Sequence, residues 1–465
     1  MIDLINFKVW LTNNKDYSEK TVSNIVSRFK RVNSLLPWEN NELYFFHLEQ
    51  LEDFKDLSKS VCSQLKQAAK LYSEFILLSD EQNIRKENNK INALSLFANI
   101  GVAEAYLEDI GIDVVVANEL EERRAILYQK IYPKSHMICG DITDKSIEDK
   151  IIKESKEKKV DLVMATPPCQ GMSTAGYQKE NDDRNRLICQ VIDIVNRVEP
   201  KYVFIENVAL FYNTAIIVND EKILIPDLIN KELGNQYKIN KYTINTKDYS
   251  VPQTRERAIM LLTRKDIKTI WTLPQKDEKV VTMFDAIGDL PPLDPFVKDI
   301  DEEELIKLFP HYHERKEKAL KISKWHTPPH HIKRQVVAMQ HTATGKTAFD
   351  NEVYYPTKAN GEAVKGYRNT YKRQNWDTPA YTVTMDNRKI SSQNNVHPGK
   401  IESKNSNGEN IYSDARTLTL YELMIIMSLP VDWNVPSNTS DAFLRRIIGE
   451  GIPPLFVKKV FEKLV

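Results

Sequence analysis

One cysteine stands where a nucleophile is expected. Cys169 follows the apolar segment 161–165 and two prolines, Pro167 and Pro168. The apolar segment predicts a buried strand, and in an open α/β sheet the loops after the carboxyl ends of the strands form the ligand crevice. The prolines each fix a φ angle, so they restrict the pose of the thiol. Because free cysteines are often small buried hydrophobes, the thiol alone leaves both interpretations open.

Two later segments carry charged groups that would reach the same edge. The segment 201–208 contains the apolar run Tyr-Val-Phe-Ile and predicts a strand that ends in an acid, Glu206, and an amide. Arg255 and Arg257 alternate on one face as they lead into a further strand. If these strands are neighbours, a thiol, a carboxylate and two guanidiniums converge. Glu206 could instead be a surface carboxylate at a strand end, but the apolar run before it favours a buried position.

The sequences Pro-Cys-Gln, Glu-Asn-Val and Gln-x-Arg-x-Arg, in this order and at these separations, resemble the motifs of the C5-cytosine DNA methyltransferase family of restriction-modification type. The resemblance runs from about Leu94 to Pro454. It implies roles for four catalytic residues: Cys169 as the nucleophile, Glu206 as the acid that holds the base, and Arg255 and Arg257 as the groups that organise the cytosine and the catalytic loop.

The implied chemistry explains these residue types. Carbon 5 of cytosine is a poor nucleophile, so a thiolate that adds at C6 would turn the ring into an enamine able to attack a methyl sulfonium. Glu206 would supply a proton or a strong hydrogen bond at N3. Positive charge favours the thiolate, and Arg255 is the expected partner of Cys169. Because the target carbon lies inside the duplex stack, the base must be flipped out.

The resemblance also places the methyl donor, S-adenosylmethionine, at the loop after the predicted strand 93–97. An acid ~20 residues beyond such a loop suits the ribose hydroxyls, although an acid after a strand is also a common helix cap. The implied cofactor contacts are Phe97, Ala98, Asn99, Ile100, Gly101, Glu119, Leu120, Asp141, Ile142, Pro167 and Glu450.

The chain departs from the family pattern around this loop. Asn99 and Val102 stand where glycines are usual, and Ser95 where an aspartate is usual. Glu450 and Gly451 replace the usual asparagine and alanine. Asparagine tolerates positive φ, whereas Val102 is expected to narrow the space for the cofactor. The departures therefore predict altered cofactor affinity rather than lost activity, and they leave the contact from residue 450 open.

Composition sets limits on the class of protein. The chain has 465 residues and 41% hydrophobic residues, enough for about three domains with ordinary cores. The four cysteines show no CxxC pairing, and neither a signal peptide nor a membrane-spanning apolar run is evident, so the cytoplasm is expected. Lys+Arg and Asp+Glu are 65 each, so any affinity for nucleic acid must come from local basic patches.

The predicted fold is an α/β, Rossmann-like, S-adenosylmethionine-dependent methyltransferase sheet with a smaller irregular target-recognition domain and an N-terminal helical domain. The predicted segments are 1–88 for the helical domain, 89–265 for the catalytic sheet, 266–410 for target recognition and 411–465 for helices that rejoin the sheet. Segment 416–430 predicts a structural helix stopped by Pro430, and 448–454 resembles the motif that closes the cofactor pocket.

Contacts to duplex DNA are expected from Gln170, Ser173, Arg334, Arg368, Lys372 and Arg373. Six of the nine histidines lie between His311 and His341, among many lysines and arginines. No Cys or carboxylate falls at ligand spacing with them, so a solvated, DNA-facing surface is favoured over a metal site, and no metal is expected.

The N-terminal segment predicts two helices, over 16–36 with Ser18 as the cap and over 60–75. Its Lys-Thr-Val-Ser-Asn segment at 20–24 and its Ala-Ala-Lys-Leu-Tyr segment at 68–72 are weakly similar to the arm-type domain of tyrosine recombinases. One hypothesis is a basic face that contacts DNA phosphates, and the alternative is a packing or dimerisation bundle. The residues of that face are Arg28, Lys30, Arg31, Lys66 and Lys70.

Three functions follow from these patterns. The first is a DNA cytosine-5 methyltransferase that acts as a monomer on double-stranded DNA and is paired with a restriction endonuclease. The second is a tRNA cytosine-5 methyltransferase, which would usually lack so long a recognition region. The third is a catalytically silent DNA-binding protein of the same fold, which the substituted cofactor loop favours and the intact catalytic motifs disfavour.

Overall fold

The computed structural model describes residues 2–15, 17–39, 44–88, 90–168 and 183–465; for 77–88 and 183 it describes the backbone alone. The chain forms two compact units, Met1–Lys90 and Ile91–Val465. Among the helices in the described ranges, none combines the length and the apolar composition needed to cross a bilayer.

The first unit is a small helical bundle, and it contains both predicted N-terminal helices. The Ser18 side chain caps the second helix by accepting a hydrogen bond from the backbone N–H of Thr21 at 3.3 Å. Phe29 from this helix stacks on Tyr72 from the last one with ring centroids 3.9 Å apart, so the apolar faces form one core. The helices are α1 (Leu4–Asn14), α2 (Glu19–Leu35), α3 (Tyr44–Gln50), α4 (Glu52–Lys55) and α5 (Lys59–Asn88).

The second unit begins with alternating strands and helices, as expected of an α/β sheet. The elements are β1 (Ile91–Leu96), β2 (Ile112–Glu119), α6 (Glu122–Ile131), β3 (His136–Cys139), α7 (Lys145–Glu157), β4 (Leu162–Ala165), α8 (Ile188–Val198), β5 (Tyr202–Asn207), β6 (Ala215–Val218), β7 (Glu221–Leu224), α9 (Ile225–Leu233), β8 (Tyr237–Asn245) and β9 (Glu256–Arg264).

Seven of these strands form one mixed sheet in the order β3-β2-β1-β4-β5-β9-β8. Strands β1 to β5 are parallel, whereas β9 is antiparallel to both β5 and β8. Apolar side chains from α7, α8 and α9 cover one face. The other face packs on the end of the chain, including Phe456 and Phe461. Burial on both faces explains why β4 reads as a continuous apolar run, and the predicted α/β class is confirmed.

The chain after β9 contains short elements separated by long irregular segments, and it ends in three helices. Its elements are α10 (Met283–Ile287), β10 (Phe296–Val297), α11 (Glu302–Leu308), α12 (Tyr312–Ile322), β11 (His330–His331), α13 (Lys333–Gln340), β12 (Ile401–Lys404), β13 (Asn410–Tyr412), α14 (Leu420–Ile426), α15 (Asp441–Glu450) and α16 (Pro454–Phe461).

The helix predicted over 416–430 is shorter in the structure. Helix α14 begins at Leu420 because Thr419 and Glu422 form a capping box at its start. Arg416 lies before the helix and is 0% exposed. Its guanidinium binds both carboxylate oxygens of Glu422 at 2.8 Å and Asp414 Oδ1 at 2.7 Å. The start of the helix is thus tied to a buried ion-pair network.

Candidate functional site

The carboxyl ends of four parallel strands form the edge at which the predicted site lies. Strands β2, β1, β4 and β5 are neighbours in this order. Leu96 of β1 pairs with Asn118 of β2 and with Ala165 of β4, and Ala165 pairs with Ile205 of β5. The loops that follow these strands therefore leave the sheet side by side, where α/β folds bind their ligands.

The loop after β1 is a tight turn. Phe97, Asn99 and Gly101 have positive φ angles of 58°, 52° and 82°. Asparagine tolerates this region, but for a bulky residue such as Phe97 it costs roughly 1–3 kcal/mol. Gly101 is required, since a Cβ there would lie 2.0 Å from Cε2 of Tyr132. The buried Ala98 and Ile100 alternate with these residues, so the surrounding packing fixes the turn.

Glu119 at the end of β2 faces this turn. Its Oε2 accepts a hydrogen bond from the backbone N–H of Asn99 at 2.9 Å, and its Oε1 accepts one from the N–H of Glu121 at 3.0 Å. Burial raises the pKa of Glu119, and these hydrogen bonds and Arg124 oppose the rise. Each carboxylate oxygen has a second lone pair, so Glu119 can also accept from ribose hydroxyls.

The remaining predicted cofactor residues surround Glu119 in sequence and in the sheet. Leu120 is 63% exposed and Phe97 is half-buried, so both offer apolar surface, whereas Ile142 is buried. Asp141 is exposed, and its Oδ1 accepts hydrogen bonds from the N–H and hydroxyl of Thr143. A buried carboxylate, an exposed acid and apolar side chains suit a ligand with hydroxyls and a flat ring. Oδ1 of Asn99 is buried without a hydrogen-bond partner.

Glu450 at the end of α15 meets the same turn. One of its oxygens, Oε2, accepts from Asn99 Nδ2 at 3.1 Å and from Arg124 Nη1 at 2.7 Å. The residue predicted to contact the cofactor is therefore bonded to protein groups. Sequence reasoning missed Arg124, which carries no motif signature.

Glu206 at the end of β5 is paired with Arg257. Arg257 Nε lies 2.7 Å from Glu206 Oε1, and both side chains are nearly buried, with exposures of 12% and 11%. The register of β5 and β9 explains the contact, because Glu206 pairs with Ile259 and Arg257 lies two residues before it. The predicted convergence of carboxylate and guanidinium is present in this pair.

Arg255 has different surroundings. It is 2% exposed, and its guanidinium donates to the carbonyl oxygens of Val383 at 2.9 Å and Gly449 at 3.0 Å. It therefore joins the sheet to two distant segments of the second unit. Arg255 is also the predicted partner of the Cys169 thiolate. Cys169 lies outside the described residues, so this stays a prediction.

Asn207 and Gln253 also build the site, although sequence reasoning gave them no role. Asn207 Nδ2 donates to the carbonyl oxygen of Pro167 at 3.0 Å, which ties the end of β5 to the segment before residue 169. Gln253 is 0% exposed, and its Oε1 accepts from the N–H of Val383 at 3.0 Å. The signal for both was their place inside the Glu-Asn-Val and Gln-x-Arg motifs.

The predicted DNA contacts divide into exposed and buried residues. Arg334 is exposed and donates to the carbonyl of Thr357, Arg368 is 70% exposed at its side chain and pairs with Asp350, and Lys372 donates to Tyr381. Arg373 is 0% exposed. Gln170 and Ser173, like Cys169, lie outside the described residues.

Arg373 and two of the clustered histidines differ from the expectation of a DNA-facing surface. Arg373 donates to the carbonyl oxygens of Met339 and His397 at 2.9 Å, so it holds the interior of its region. His326 is 0% and His331 is 3% exposed. Burial lowers the pKa of His331 to about 3, so it is neutral and accepts from the N–H of Thr417 at 3.2 Å.

Comparison with known families identifies the second unit. Residues 91–465 match the model of the family described as C-5 cytosine-specific DNA methylase. The matched range begins at the first residue of the second unit. The match includes every segment that lines the site described above.

Individual relatives agree with the family match. The chain is 41% identical over 379 residues to the Type II methyltransferase M1.HgaI of Avibacterium volantium, covering 80% of this chain and 98% of the relative. It is 26% identical over 378 residues to the Type II methyltransferase M1.HphI of Haemophilus parahaemolyticus, covering 80% and 86%. A solved E. coli structure, described as a prophage-encoded DNA modification methyltransferase, shares the fold with a TM-score of 0.54 at 18% identity, over 81% of this chain and 98% of that one.

Proposed function

Since the chain belongs to the C-5 cytosine-specific DNA methylase family, we propose the roles of its residues in the family reaction. The protein is a DNA (cytosine-5-)-methyltransferase, and S-adenosylmethionine is its methyl donor. The bound donor supplies a methyl group that its sulfonium makes electrophilic. Glu119 and Asp141 would hold its hydroxyl and amino groups, and Phe97 and Leu120 would pack on its ring.

Cys169 is the proposed nucleophile. One observation carries this assignment: Asn207 Nδ2 bonds the carbonyl of Pro167 at 3.0 Å, which holds the segment two residues before Cys169 against the strand end that bears Glu206. The thiolate sulfur would add to C6 of a flipped cytosine, and its electron pair would make C5 nucleophilic. After methyl transfer the C5 proton would pass to solvent water, and its electron pair would re-form the C5–C6 double bond. The C6–S bond would break as its electron pair returns to sulfur.

Glu206 is proposed to bind N3 of the target base. The ion pair with Arg257 fixes the carboxyl group through Oε1, and we assign Oε2 to the ring. A proton shared between Glu206 and N3 would disperse the negative charge that sulfur addition places on the ring. Arg255 would act as a positioning residue, because its donors bind carbonyls of other segments.

The covalent step is tested with duplex DNA that carries 5-fluorocytosine, because fluorine cannot leave as the C5 proton does. Wild-type protein with S-adenosylmethionine should form a denaturant-resistant adduct with this DNA. Cys169→Ala should form none and transfer no methyl group, yet bind DNA largely as before, since binding energy comes mostly from other groups. Cys62→Ser is a matched control because Cys62 is also a free thiol. Absence of the adduct in wild-type protein would refute the covalent mechanism.

The biological role that we propose is protection of cellular DNA from a paired restriction endonuclease, with the enzyme acting as a monomer in the cytoplasm. Support comes from the relatives named Type II methyltransferases. Plasmid DNA from cells that express the protein should contain 5-methylcytosine at one sequence motif and resist an endonuclease specific for that motif. Purified tRNA should incorporate no methyl group in the same assay, and incorporation into tRNA alone would contradict the proposal.

A further inference from the structure

Three segments that are distant in sequence meet at the Glu450 side chain. Arg124 of α6 donates from Nη1 to Oε2 at 2.7 Å and from Nη2 to Oε1 at 3.4 Å. Asn99 of the turn after β1 donates to Oε2 at 3.1 Å. Arg446 lies 3.6 Å from Oε1. Both oxygens of Glu450 are therefore engaged by protein groups, so Glu450 acts on its neighbours rather than as a free ligand.

The backbone of the same helix end is also fixed. Arg255 Nη2 donates to the carbonyl oxygens of Gly449 at 3.0 Å and Glu450 at 3.3 Å. A Cβ at Gly451 would lie 2.8 Å from Cγ1 of Val102, so the valine fills the space beside the glycine. The helix end thus contacts the turn through one polar pair and one packed pair.

These two pairs contain four of the positions at which the chain departs from the family pattern. Asn99 bonds to Glu450, and Val102 packs on Gly451. Each departure on the turn is therefore matched by one on the helix. Matched replacements preserve the contact between the turn and the helix end, whereas an isolated replacement would leave an unpaired carboxylate or a steric clash.

Arg124 balances the negative charge where the turn meets the helix end. It pairs with Glu450 and, through Nε, with Glu121 Oε2 at 3.0 Å. Glu119 is bound to the same turn through the N–H of Asn99. Three carboxylates thus lie around the turn, and without Arg124 they would repel one another in a partly buried place.

We propose that Arg124 is a positioning residue for S-adenosylmethionine: it holds Glu450, and Glu450 holds Asn99 in the conformation that presents the turn and Glu119 to the donor. The proposal rests on the assignment of this turn to the cofactor, given under the proposed function. It adds a residue of α6 to the cofactor site and makes Glu450 a bridge instead of a direct contact.

The test exchanges the charges of the pair in the full-length protein. Binding of S-adenosylhomocysteine is measured by calorimetric titration for wild type, Arg124→Glu, Glu450→Arg and the double variant. Contacting residues couple by amounts that correspond to roughly 2-fold to 150-fold, so each single variant should weaken binding by about 10-fold. The double variant should recover part of that loss, because the pair is restored and the Asn99 amide can turn its oxygen toward an arginine. Recovery is incomplete because Glu121 and Arg446 then each face a like charge.

Two further arms separate positioning from general damage. Lys130→Glu makes the same charge reversal at an exposed site of α6 and should leave affinity unchanged. Gly451→Ala should weaken binding through the contact with Val102, and Val102→Gly/Gly451→Ala should restore it. The thermal midpoint of each ligand-free variant reports folding independently.

The outcomes are distinct. Equal affinity in wild type and Arg124→Glu would overturn the proposal, as would a loss that the double variant does not recover. A lowered midpoint with unchanged affinity would show a purely structural pair and would also overturn it. If wild-type protein binds no S-adenosylhomocysteine, the cofactor assignment itself fails, which is a separate result from failure of the pairing.

Discussion

The buried acid Glu104 should make the stability of the protein depend on pH. Glu104 follows the turn after β1, is 4% exposed, and accepts a hydrogen bond from Ser95 Oγ at 2.6 Å. Burial raises its pKa from 4.5 to about 7, although the Ser95 hydrogen bond opposes the rise. Tyr128 and Tyr132 interact with it, and burial raises their pKa values as well, so both phenols stay neutral beside the acid.

The sign and size of the pH dependence of stability follow from the raised pKa of Glu104. Below pH 4.5, the pKa of the acid in the unfolded chain, Glu104 is protonated in both the folded and the unfolded state, and its contribution to stability is fully present. As the pH rises toward about 7 the unfolded state loses its proton first, so the free energy of unfolding falls. A shift of this size corresponds to about 3 kcal/mol at 1.36 kcal/mol for each pKa unit.

Glu104→Gln tests this reasoning because the amide keeps the shape and the Ser95 hydrogen bond but cannot ionise. Unfolding by urea is measured for both proteins between pH 4.5 and pH 8, and titrations elsewhere cancel in the difference. The variant should gain about 3 kcal/mol relative to wild type across this range. Glu108→Gln, an exposed acid of the same segment, is the control and should change by less than ~1 kcal/mol. A constant difference between Glu104→Gln and wild type at all pH values would refute a buried neutral Glu104.

Three further predictions concern the other regions. Exchange of residues 266–410 with those of a relative should change the methylated site, measured by bisulfite sequencing, and a hybrid that keeps the original site would show that recognition lies elsewhere. Deletion of residues 1–88 should weaken DNA binding and flatten its dependence on salt while cofactor affinity is unchanged, and an unaltered salt slope in the folded truncation would leave only a packing role. Arg416→Met should lower the free energy of unfolding by about 3–5 kcal/mol, measured by urea unfolding, because Glu422 and Asp414 lose a buried partner; a cost below ~1 kcal/mol would show that the network contributes little.

The sheet and its edge could be predicted because their signals are local. The segment 162–165 is apolar throughout, since both faces of β4 are covered, and the turn that follows must leave at the ligand edge. Glu206 could also be placed near Arg257, because the end of β5 lies beside the beginning of β9. Such inferences need only the pattern within a segment and the rule that parallel strands end together.

Buried cations could not be predicted in this way. The sequence predicts that Arg373 contacts DNA, yet it is 0% exposed and donates to backbone carbonyl oxygens. Any residue type can supply a carbonyl, so an arginine that is satisfied by the backbone leaves no partner in the sequence to be recognised. A related limit applies to His331, a buried neutral ring whose partner is the backbone N–H of Thr417.

Arg255 has a local motif that the sequence reveals and backbone partners that it does not. Family resemblance marks it as catalytic, but its carbonyl partners Val383 and Gly449 lie 128 and 194 residues further along the chain. A fully buried guanidinium with fixed acceptors must keep those acceptors in place, since losing one leaves a charged donor without a partner. The arginine of the motif therefore joins the sheet, the segment around Val383 and the helix that bears Glu450. A substitution at Arg255 should then weaken cofactor binding as well as turnover, whereas one at Cys169 should affect turnover alone.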